Sequence, residues 1–263
     1  MGRIIGISGR KQSGKNTSAN FFHGLVLKEQ NLIRDFRISY DGLLEVVSKD
    51  SDNWGILDVT RKDAEFTEYA ERFIWPYIKL YSFADTLKSI CMDLFDIPFN
   101  QLYGTNEEKN IPTHLKWEDM PGIISPEKWS ILQGRLNPDI ISYPEEFCLT
   151  VKSGYMTGRD FMQFLGTDIM RKAYGPIWIN SAMKRIHREG SKIAVIADLR
   201  FPNEVQAILD SNGEFIRLTR SVDEDTHISE SSLDDFNTDK YTYIIDNASS
   251  DIEELCVNLK SIY

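Results

Sequence analysis

Short apolar runs recur along the chain and alternate with longer segments of helical periodicity. Strands that are buried on both faces of a parallel sheet appear in a sequence as continuous apolar runs rather than alternating ones. The pattern therefore predicts five buried parallel strands. They are Ile4–Ser8, Ile78–Phe83, Ile193–Asp198, Glu214–Thr219 and Thr242–Asp246.

Segments with helical periodicity occupy much of the sequence between these apolar runs. The predicted helices are Lys15–Lys28, Asp85–Leu94, Pro202–Ser211 and Ser250–Ser261. Regular alternation of strand and helix favours an α/β fold of three layers, with a five-stranded parallel sheet covered by helices on both faces. Ligands of such sheets bind beyond the carboxyl ends of the strands, so we expect functional residues to follow the strands.

Two stretches, about 31–76 and 97–156, do not follow the alternation. The first mixes strand-like pieces with charged residues, and the second is rich in Pro, Asn and Gly. We interpret both as insertions beside the sheet, within a single domain spanning residues 1–263. Their chemistry does not follow from the pattern alone.

Composition and charge argue against some classes of partner and indicate the redox state of the cysteines. The net charge of −10 argues against a nucleic-acid partner, and acidic residues concentrate in residues 221–263, which indicates a solvated acidic face. No apolar run approaches the roughly 18 residues of a membrane span, so we expect no membrane partner. Cys91, Cys148 and Cys256 are far apart, which is typical of reduced thiols in a cytoplasmic protein.

The segment Gly9–Thr17, GRKQSGKNT, follows the first predicted strand and opens the first predicted helix. Gly9 and Gly14 allow the backbone to curl so that successive amide groups point at phosphate oxygens. Lys15 supplies a mobile positive charge, and the helix adds the positive end of its dipole. The strand–turn–helix context favours a phosphate-binding loop over a chance glycine-rich turn.

One position departs from the usual GxxxxGK[ST] pattern. Asn16 occupies the place where Ser or Thr normally holds Mg²⁺, and the hydroxyl comes one residue later at Thr17. This order is also found in small nucleotide kinases, in which Mg²⁺ is held largely through water.

The third predicted strand ends in Asp198, followed by Arg200. An acid at this position can bind Mg²⁺ through water or accept a hydrogen bond from a substrate, and the arginine can clamp a phosphate. A structural Asp–Arg pair that caps the next helix explains the same residues equally well.

The segment Thr157–Lys172 predicts a helix that begins with a capping box formed by Thr157 and Asp160. Its apolar stripe is Phe161, Phe164, Leu165 and Ile169. By α-helical spacing, a second face carries Arg159, Gln163, Gly166 and Thr167. This face suits a flat polar ligand, although close helix–helix packing around the glycine is the competing interpretation.

Three further residues have both a functional and a structural interpretation. Lys88 can meet an anion or lie on the surface. Trp178 can stack on a base or fill the core. Asn247 can read a base edge or serve as a turn residue.

Several of these segments recur together, and in the same order, in one known family. They are the loop GRKQSGKNT, FADTLK around Lys88, GRDFMQFLGTD with Trp178 beyond it, DLRFPNE from Asp198, DTHISE from Asp225, and IIDNASSDIEEL. In these segments the chain resembles the phage deoxynucleoside monophosphate kinases, a branch of the P-loop nucleotide kinases. The resemblance spans nearly the whole chain except the two insertions.

The resemblance implies a P-loop kinase fold and the reaction ATP + dNMP → ADP + dNDP, with ATP and Mg²⁺ as cofactors. It implies a catalytic set of Lys15, Arg159, Asp198 and Arg200. The implied ATP-binding residues are Gly9, Gln12, Ser13, Gly14, Lys15, Asn16, Thr17 and Ser18. The implied dNMP-binding residues are Lys11, Lys88, Arg159, Gln163, Gly166, Thr167, Trp178, Asp198 and Glu204. Thr17 and Asp198 would hold Mg²⁺, the latter through water. A homodimer in the cytoplasm of a host cell is expected.

Two other function classes remain open from the sequence. One is a different small-molecule P-loop kinase, acting on dephospho-coenzyme A or on ribonucleoside monophosphates. The other is a P-loop switch or ATPase, which would hydrolyse ATP without a nucleotide acceptor. The sequence has no guanine-specific Asn-Lys-x-Asp motif, and the second set of basic residues favours a kinase.

Overall fold

A computed structural model describes residues 2–10, 12–135, 149–219, 233, 242–249 and 251–263. The chain divides into two compact units, one formed by Met1–Asp85 with Trp178–Tyr263 and the other by Thr86–Ile177. The division into one domain with two insertions stays a prediction.

In the described residues, the first unit contains eight strands and five helices. Its strands are β1 Arg3–Gly9, β2 Asp35–Ile38, β3 Leu44–Val47, β4 Trp54–Ile56, β5 Ile78–Tyr81, β10 Ile193–Leu199, β11 Glu214–Thr219 and β12 Tyr243–Asp246. Its helices are α1 Lys15–Glu29, α2 Ala64–Phe73, α8 Ile177–Glu189 (whose first residue belongs to the second unit), α9 Pro202–Asp210 and α10 Ile252–Ile262.

The central sheet of this unit has the strand order β12-β11-β1-β10-β5, and every neighbouring pair is parallel. The central strand β1 pairs through Ile5 with Val195 of β10 and with Glu214 of β11. All five strands coincide with the apolar runs of the sequence to within two residues at either end. The predicted α/β fold with a five-stranded parallel sheet is therefore confirmed.

Helices cover both faces of the sheet. Ile5 and Ile7 of β1 lie in one apolar core with residues of α1, α2 and α10. On the opposite face, α9 approaches β1 so closely that a Cβ on Gly6 would lie 2.5 Å from the side chain of Ile208. Burial on both faces explains why β1 is apolar without alternation.

The sequence between α1 and β5 forms an antiparallel sheet in the order β2-β3-β4, followed by α2. Phe36 and Ile38 of β2 pack against the same core as α1. These two residues of the first predicted insertion therefore pack against the core of this unit.

The second unit is built from short elements. They are α3 Asp85–Phe95, α4 Phe99–Tyr103, α5 Asn106–Lys109, β6 Pro112–Lys116, β7 Ile123–Ile124, α6 Pro126–Arg135, β8 Thr150–Val151, β9 Tyr155–Thr157 and α7 Gly158–Gln163, followed by a π-helix over Phe164–Arg171. Its aromatic contacts include Phe95 with Phe161, at a centroid distance of 4.7 Å, and Trp117 with Phe164, at 5.9 Å. Phe161 and Phe164 of the predicted apolar stripe therefore lie in this core.

Cys91 and Cys256 are free thiols, as the sequence predicts, and Cys148 lies outside the described residues. Burial raises the pKa of Cys91 to about 12 and that of Cys256 to about 11. Both thiols therefore stay protonated and unreactive at neutral pH.

Candidate active site

The loop between β1 and α1 has the backbone that a phosphate-binding loop requires. Gly9 and Gly14 have φ values of +156° and +98°, and Gln12 has a φ of +60°. Gly14 is the N-cap of α1 in the left-handed conformation, where a side chain would be strained. The helix therefore begins directly at Lys15, with its first amide groups at the loop.

The ammonium group of Lys15 is held over this loop. Its Nζ donates hydrogen bonds of 2.6 Å to the carbonyl oxygens of both Gly9 and Arg10. The positive charge thus lies at the same end of α1 as its first backbone amide groups and the positive end of the helix dipole, an arrangement that attracts anions.

The hydroxyl groups of the loop fit a phosphorylated ligand. Ser13 Oγ is fully buried and, among the described residues, has no hydrogen-bond partner. Thr17 is half-buried on the first turn of α1, while Asn16 is exposed. An unsatisfied buried hydroxyl is costly unless a ligand or water completes it, so the loop is suited to phosphate oxygens and an associated cation.

Asn247, which follows β12, lies beneath the loop rather than in a solvent-exposed turn. Its side chain is 5% exposed, and Nδ2 donates a 2.9 Å hydrogen bond to the carbonyl oxygen of Ser13. A Cβ on Gly14 would lie 2.9 Å from the same Nδ2. The amide therefore holds the loop backbone in place. The sequence offers no signal for this role beyond a polar residue at a strand end.

If this loop binds ATP, as the resemblance implies, Asn247→Ala should raise the KM for ATP about tenfold, because one buried hydrogen bond of roughly 1.4 kcal/mol no longer holds the loop in place. The KM for the acceptor should not change. Steady-state kinetics with each substrate varied in turn would measure both values. The exposed Asn53 offers a matched control, and an equal effect of Asn53→Ala would contradict the assignment.

Asp198 lies near the carboxyl end of β10 and forms hydrogen bonds with the turn that follows β5. Its carboxylate accepts hydrogen bonds from Ser82 Oγ at 2.5 Å and from the backbone amides of Phe83 and Ala84 at 3.2 and 3.3 Å. Burial raises the pKa of Asp198, and the nearby carboxylate of Asp85 raises it further, whereas the hydrogen bonds oppose the shift. A structural role is therefore evident, and a role in binding Mg²⁺ stays a prediction.

Glu204 and Trp178 are both buried in the first unit. Glu204 Oε2 accepts hydrogen bonds from the backbone amides of Arg200 and Phe201, at 2.8 and 3.1 Å, and so caps the start of α9. Trp178 is 4% exposed at the beginning of α8, as expected of a core residue. The side chain of Arg200 is exposed and lies close enough to Asp198 to lower its pKa.

In the second unit, Arg159 on α7 is oriented by two amide side chains of the α5 region. Its Nη2 donates to Asn106 Oδ1 at 2.8 Å, and its Nε donates to Asn110 Oδ1 at 3.2 Å. Burial lowers the pKa of Lys109, and the charge of Arg159 lowers it further. Two cations thus lie close together, as in an anion-binding site. The sequence did not identify Asn106, Lys109 or Asn110.

The four residues predicted to share one face of the segment after Thr157 have different surroundings. The capping box of Thr157 and Asp160 is present. Beyond Gln163, however, the chain is a π-helix, so α-helical spacing no longer applies. Gln163 is exposed, Thr167 is half-buried, and Gly166 is buried where a Cβ would lie 2.5 Å from Leu87 Cδ2. Close helix packing therefore explains this glycine.

The remaining candidates are described only in part. Lys88 Nζ on α3 lies 4.1 Å from the ring centroid of Tyr103, within the second unit. Lys11 and the DTHISE segment from Asp225 lie outside the described residues. No helix in the described part of the chain is both long enough and apolar enough to cross a membrane.

Comparisons with known proteins agree with the motif-based resemblance. The sequence model of the deoxynucleotide monophosphate kinase family matches residues 137–258. A protein of Acanthamoeba polyphaga mimivirus, provisionally described as a deoxynucleotide monophosphate kinase, is 25% identical over 171 residues, which cover 58% of this chain and 67% of the relative. The resemblance to deoxynucleotide monophosphate kinases is thereby confirmed, and together with the parallel sheet it supports assignment of the protein as a phosphotransferase with a P-loop kinase fold.

Proposed function

We propose that the protein transfers the γ-phosphoryl group of ATP to a 2′-deoxynucleoside 5′-monophosphate, producing ADP and the deoxynucleoside diphosphate. The observation that carries the proposal is the family match over residues 137–258, in a chain whose first strand leads into a phosphate-binding loop. An oxygen of the acceptor phosphate attacks the γ-phosphorus. The bond from the γ-phosphorus to the β–γ bridging oxygen breaks, and that oxygen leaves with ADP.

The donor nucleotide is assigned to the loop of the first unit. The loop amides from Gly14 to Ser18 and the hydroxyl of Ser13 bind phosphate oxygens, with Gln12 alongside. Lys15 leaves the carbonyl oxygens that now hold it and places its charge on the outer phosphates. Thr17, and Asp198 through water, would hold Mg²⁺, which when bound neutralises charge on the phosphates.

The acceptor is assigned to the second set of cations. Arg159 can bind two oxygens of a phosphate with its planar group, and Lys88 and Lys109 add positive charge. Asn106 and Asn110 hold the Arg159 side chain in place, which reduces the entropy lost on binding. Thr167 and Gln163 can donate hydrogen bonds to the nucleotide, and Arg200 can neutralise the transferring phosphoryl group.

A panel of acceptors with ATP tests the proposed reaction. We expect release of ADP with one or more of the four canonical dNMPs and with neither ribonucleoside monophosphates nor dephospho-coenzyme A at comparable kcat/KM. In the same assay, Arg159→Ala should raise the KM for the dNMP about tenfold or more and leave the KM for ATP unchanged, because a charged hydrogen bond is worth about 1.5–3 kcal/mol.

Other outcomes would favour the rival functions. Preference for a ribonucleotide or a pantetheine acceptor would indicate a different small-molecule kinase. Hydrolysis of ATP at the same rate with and without acceptor would indicate an ATPase or switch protein. The proposal also includes a homodimer, a cytoplasmic location and the absence of a nucleic-acid partner. Sedimentation with and without DNA would test the homodimer and the absence of a nucleic-acid partner.

A further inference from the structure

The hairpin that joins β2 to β3 ends in a tight, internally bonded tip, Ser39–Leu43. The amide of Gly42 donates to the carbonyl oxygen of Ser39 at 2.8 Å, and the amide of Ser39 donates to that of Leu43 at 2.9 Å. Gly42 has a φ of +78°, which is a conformation that favours glycine. The tip is therefore a defined turn rather than a loose loop.

This hairpin tip lies against the first two turns of α1. Asn20 Nδ2 donates a 2.9 Å hydrogen bond to the carbonyl oxygen of Gly42. A Cβ on Gly42 would overlap Thr17 Oγ1 and would lie 3.5 Å from Thr17 Cβ. Thr17 and Asn20 are three residues apart and so share one face of the helix. The tip backbone thus contacts the loop hydroxyl that is predicted to bind the metal.

The strands behind the tip are packed firmly enough to hold it there. The ring of Phe36 on β2 contacts that of Phe21 on α1, at a centroid distance of 5.7 Å. Gly24 of α1 leaves room for Phe36, whose ring a Cβ at this position would overlap. Because the sheet and the helix share one core, the position of the tip relative to Thr17 is fixed by packing.

A threonine in a helix divides between two rotamers, one of which lets its hydroxyl bond a carbonyl oxygen of the preceding turn. In the part of the chain that the structure describes, Thr17 Oγ1 makes no such bond. The neighbouring Ser18 does, donating to the carbonyl oxygen of Gly14 at 3.0 Å. The Thr17 hydroxyl is thus left available, with Gly42 beside it.

We propose that the tip Ser39–Leu43 is a positioning element of the donor site, which orients the Thr17 hydroxyl toward the Mg²⁺ of the bound nucleotide. The inference rests on the proposed function, since it requires a magnesium-bound nucleotide at the loop. Gly42 acts by its lack of a side chain, and Asn20 acts by anchoring the turn. Groups that orient a metal ligand commonly change metal affinity or activity by about 10- to 100-fold.

The test is calorimetric titration of the whole protein with ATP, once with excess Mg²⁺ and once with EDTA. Gly42→Ala should weaken MgATP binding about tenfold and leave binding of metal-free ATP unchanged. Gly190→Ala is the matched control, because Gly190 also has a positive φ, +67°, but a Cβ there meets no atom within 4 Å. It should bind MgATP as the wild type does.

Asn20→Ala is the second test variant, to be used if Gly42→Ala fails to fold. It removes the hydrogen bond that anchors the tip without adding a side chain. It should also weaken MgATP binding selectively, though by less. Wild-type MgATP binding in Asn20→Ala, or an equal loss with and without Mg²⁺, would overturn the inference while the proposed function stands. Failure of the wild type to bind MgATP would contradict the proposed function itself and this inference with it.

Discussion

Replacing Lys15 with Ala should lower the turnover number about a hundred- to a thousandfold while the protein remains folded. Loss of one preorganised charged donor at a site of developing negative charge costs about this much. The structure indicates why the fold should survive. The ammonium group is only partly buried, and it donates to the backbone carbonyl oxygens of Gly9 and Arg10 rather than to the apolar core. The measurement is ADP release at saturating ATP and dNMP.

Lys28 is the matched control for this variant because it lies in the last turn of the same helix. It pairs with Asp35 at 2.7 Å, and both side chains are about half exposed. Lys28→Ala should therefore keep wild-type turnover. Near-normal turnover in Lys15→Ala, with a circular dichroism spectrum like that of the wild type, would refute the assignment of the donor site.

The second large effect is expected on stability, and it arises from His23 in α1. The ring is 1% exposed, and burial lowers its pKa to about 4, although the hydrogen bond from Nδ1 to the carbonyl oxygen of Ala19 (2.8 Å) opposes the shift. The folded state therefore holds the imidazole neutral, whereas in the unfolded chain it takes up a proton near pH 6.5.

This difference in pKa sets the direction in which the free energy of unfolding changes with pH. The unfolded state binds more protons between about pH 6.5 and pH 4, so the free energy of unfolding falls as the pH is lowered through that window. The difference between a pKa near 6.5 in the unfolded chain and a pKa of about 4 in the folded state corresponds to a loss of about 3 kcal/mol. Above pH 6.5 the contribution of His23 to stability is constant.

Urea unfolding at a series of pH values, for the wild type and for His23→Leu, measures this effect. The leucine does not titrate, so the variant should lose about 3 kcal/mol less than the wild type between pH 7 and pH 4. His114→Gln, at an exposed histidine, should follow the wild-type curve. Parallel curves for the wild type and His23→Leu would show that His23 does not titrate as inferred.

Local features of the chain were predictable because they depend on neighbouring residues. The strands of the central sheet follow from apolar runs that are buried on both faces. The phosphate loop follows from glycines at positions where φ is positive, as Gly9 and Gly14 show. The capping box joins Thr157 and Asp160, which are only three positions apart, and is present as predicted. The sequence alone therefore determined the sheet, the loop and the family resemblance.

Tertiary structure decided the features that join distant parts of the chain. Asn247 donates a hydrogen bond to the backbone of Ser13, although the two residues are 234 positions apart in the sequence. Asn106 orients Arg159 from 53 positions away. Gly42 meets Thr17 only because the β2–β3 hairpin packs on α1. No local sequence pattern distinguishes an asparagine that supports another segment's backbone from an asparagine in a turn. The difference depends on which distant segment the fold packs against that asparagine. Packing, which depends on the whole fold, therefore supplied the residues that support the candidate site.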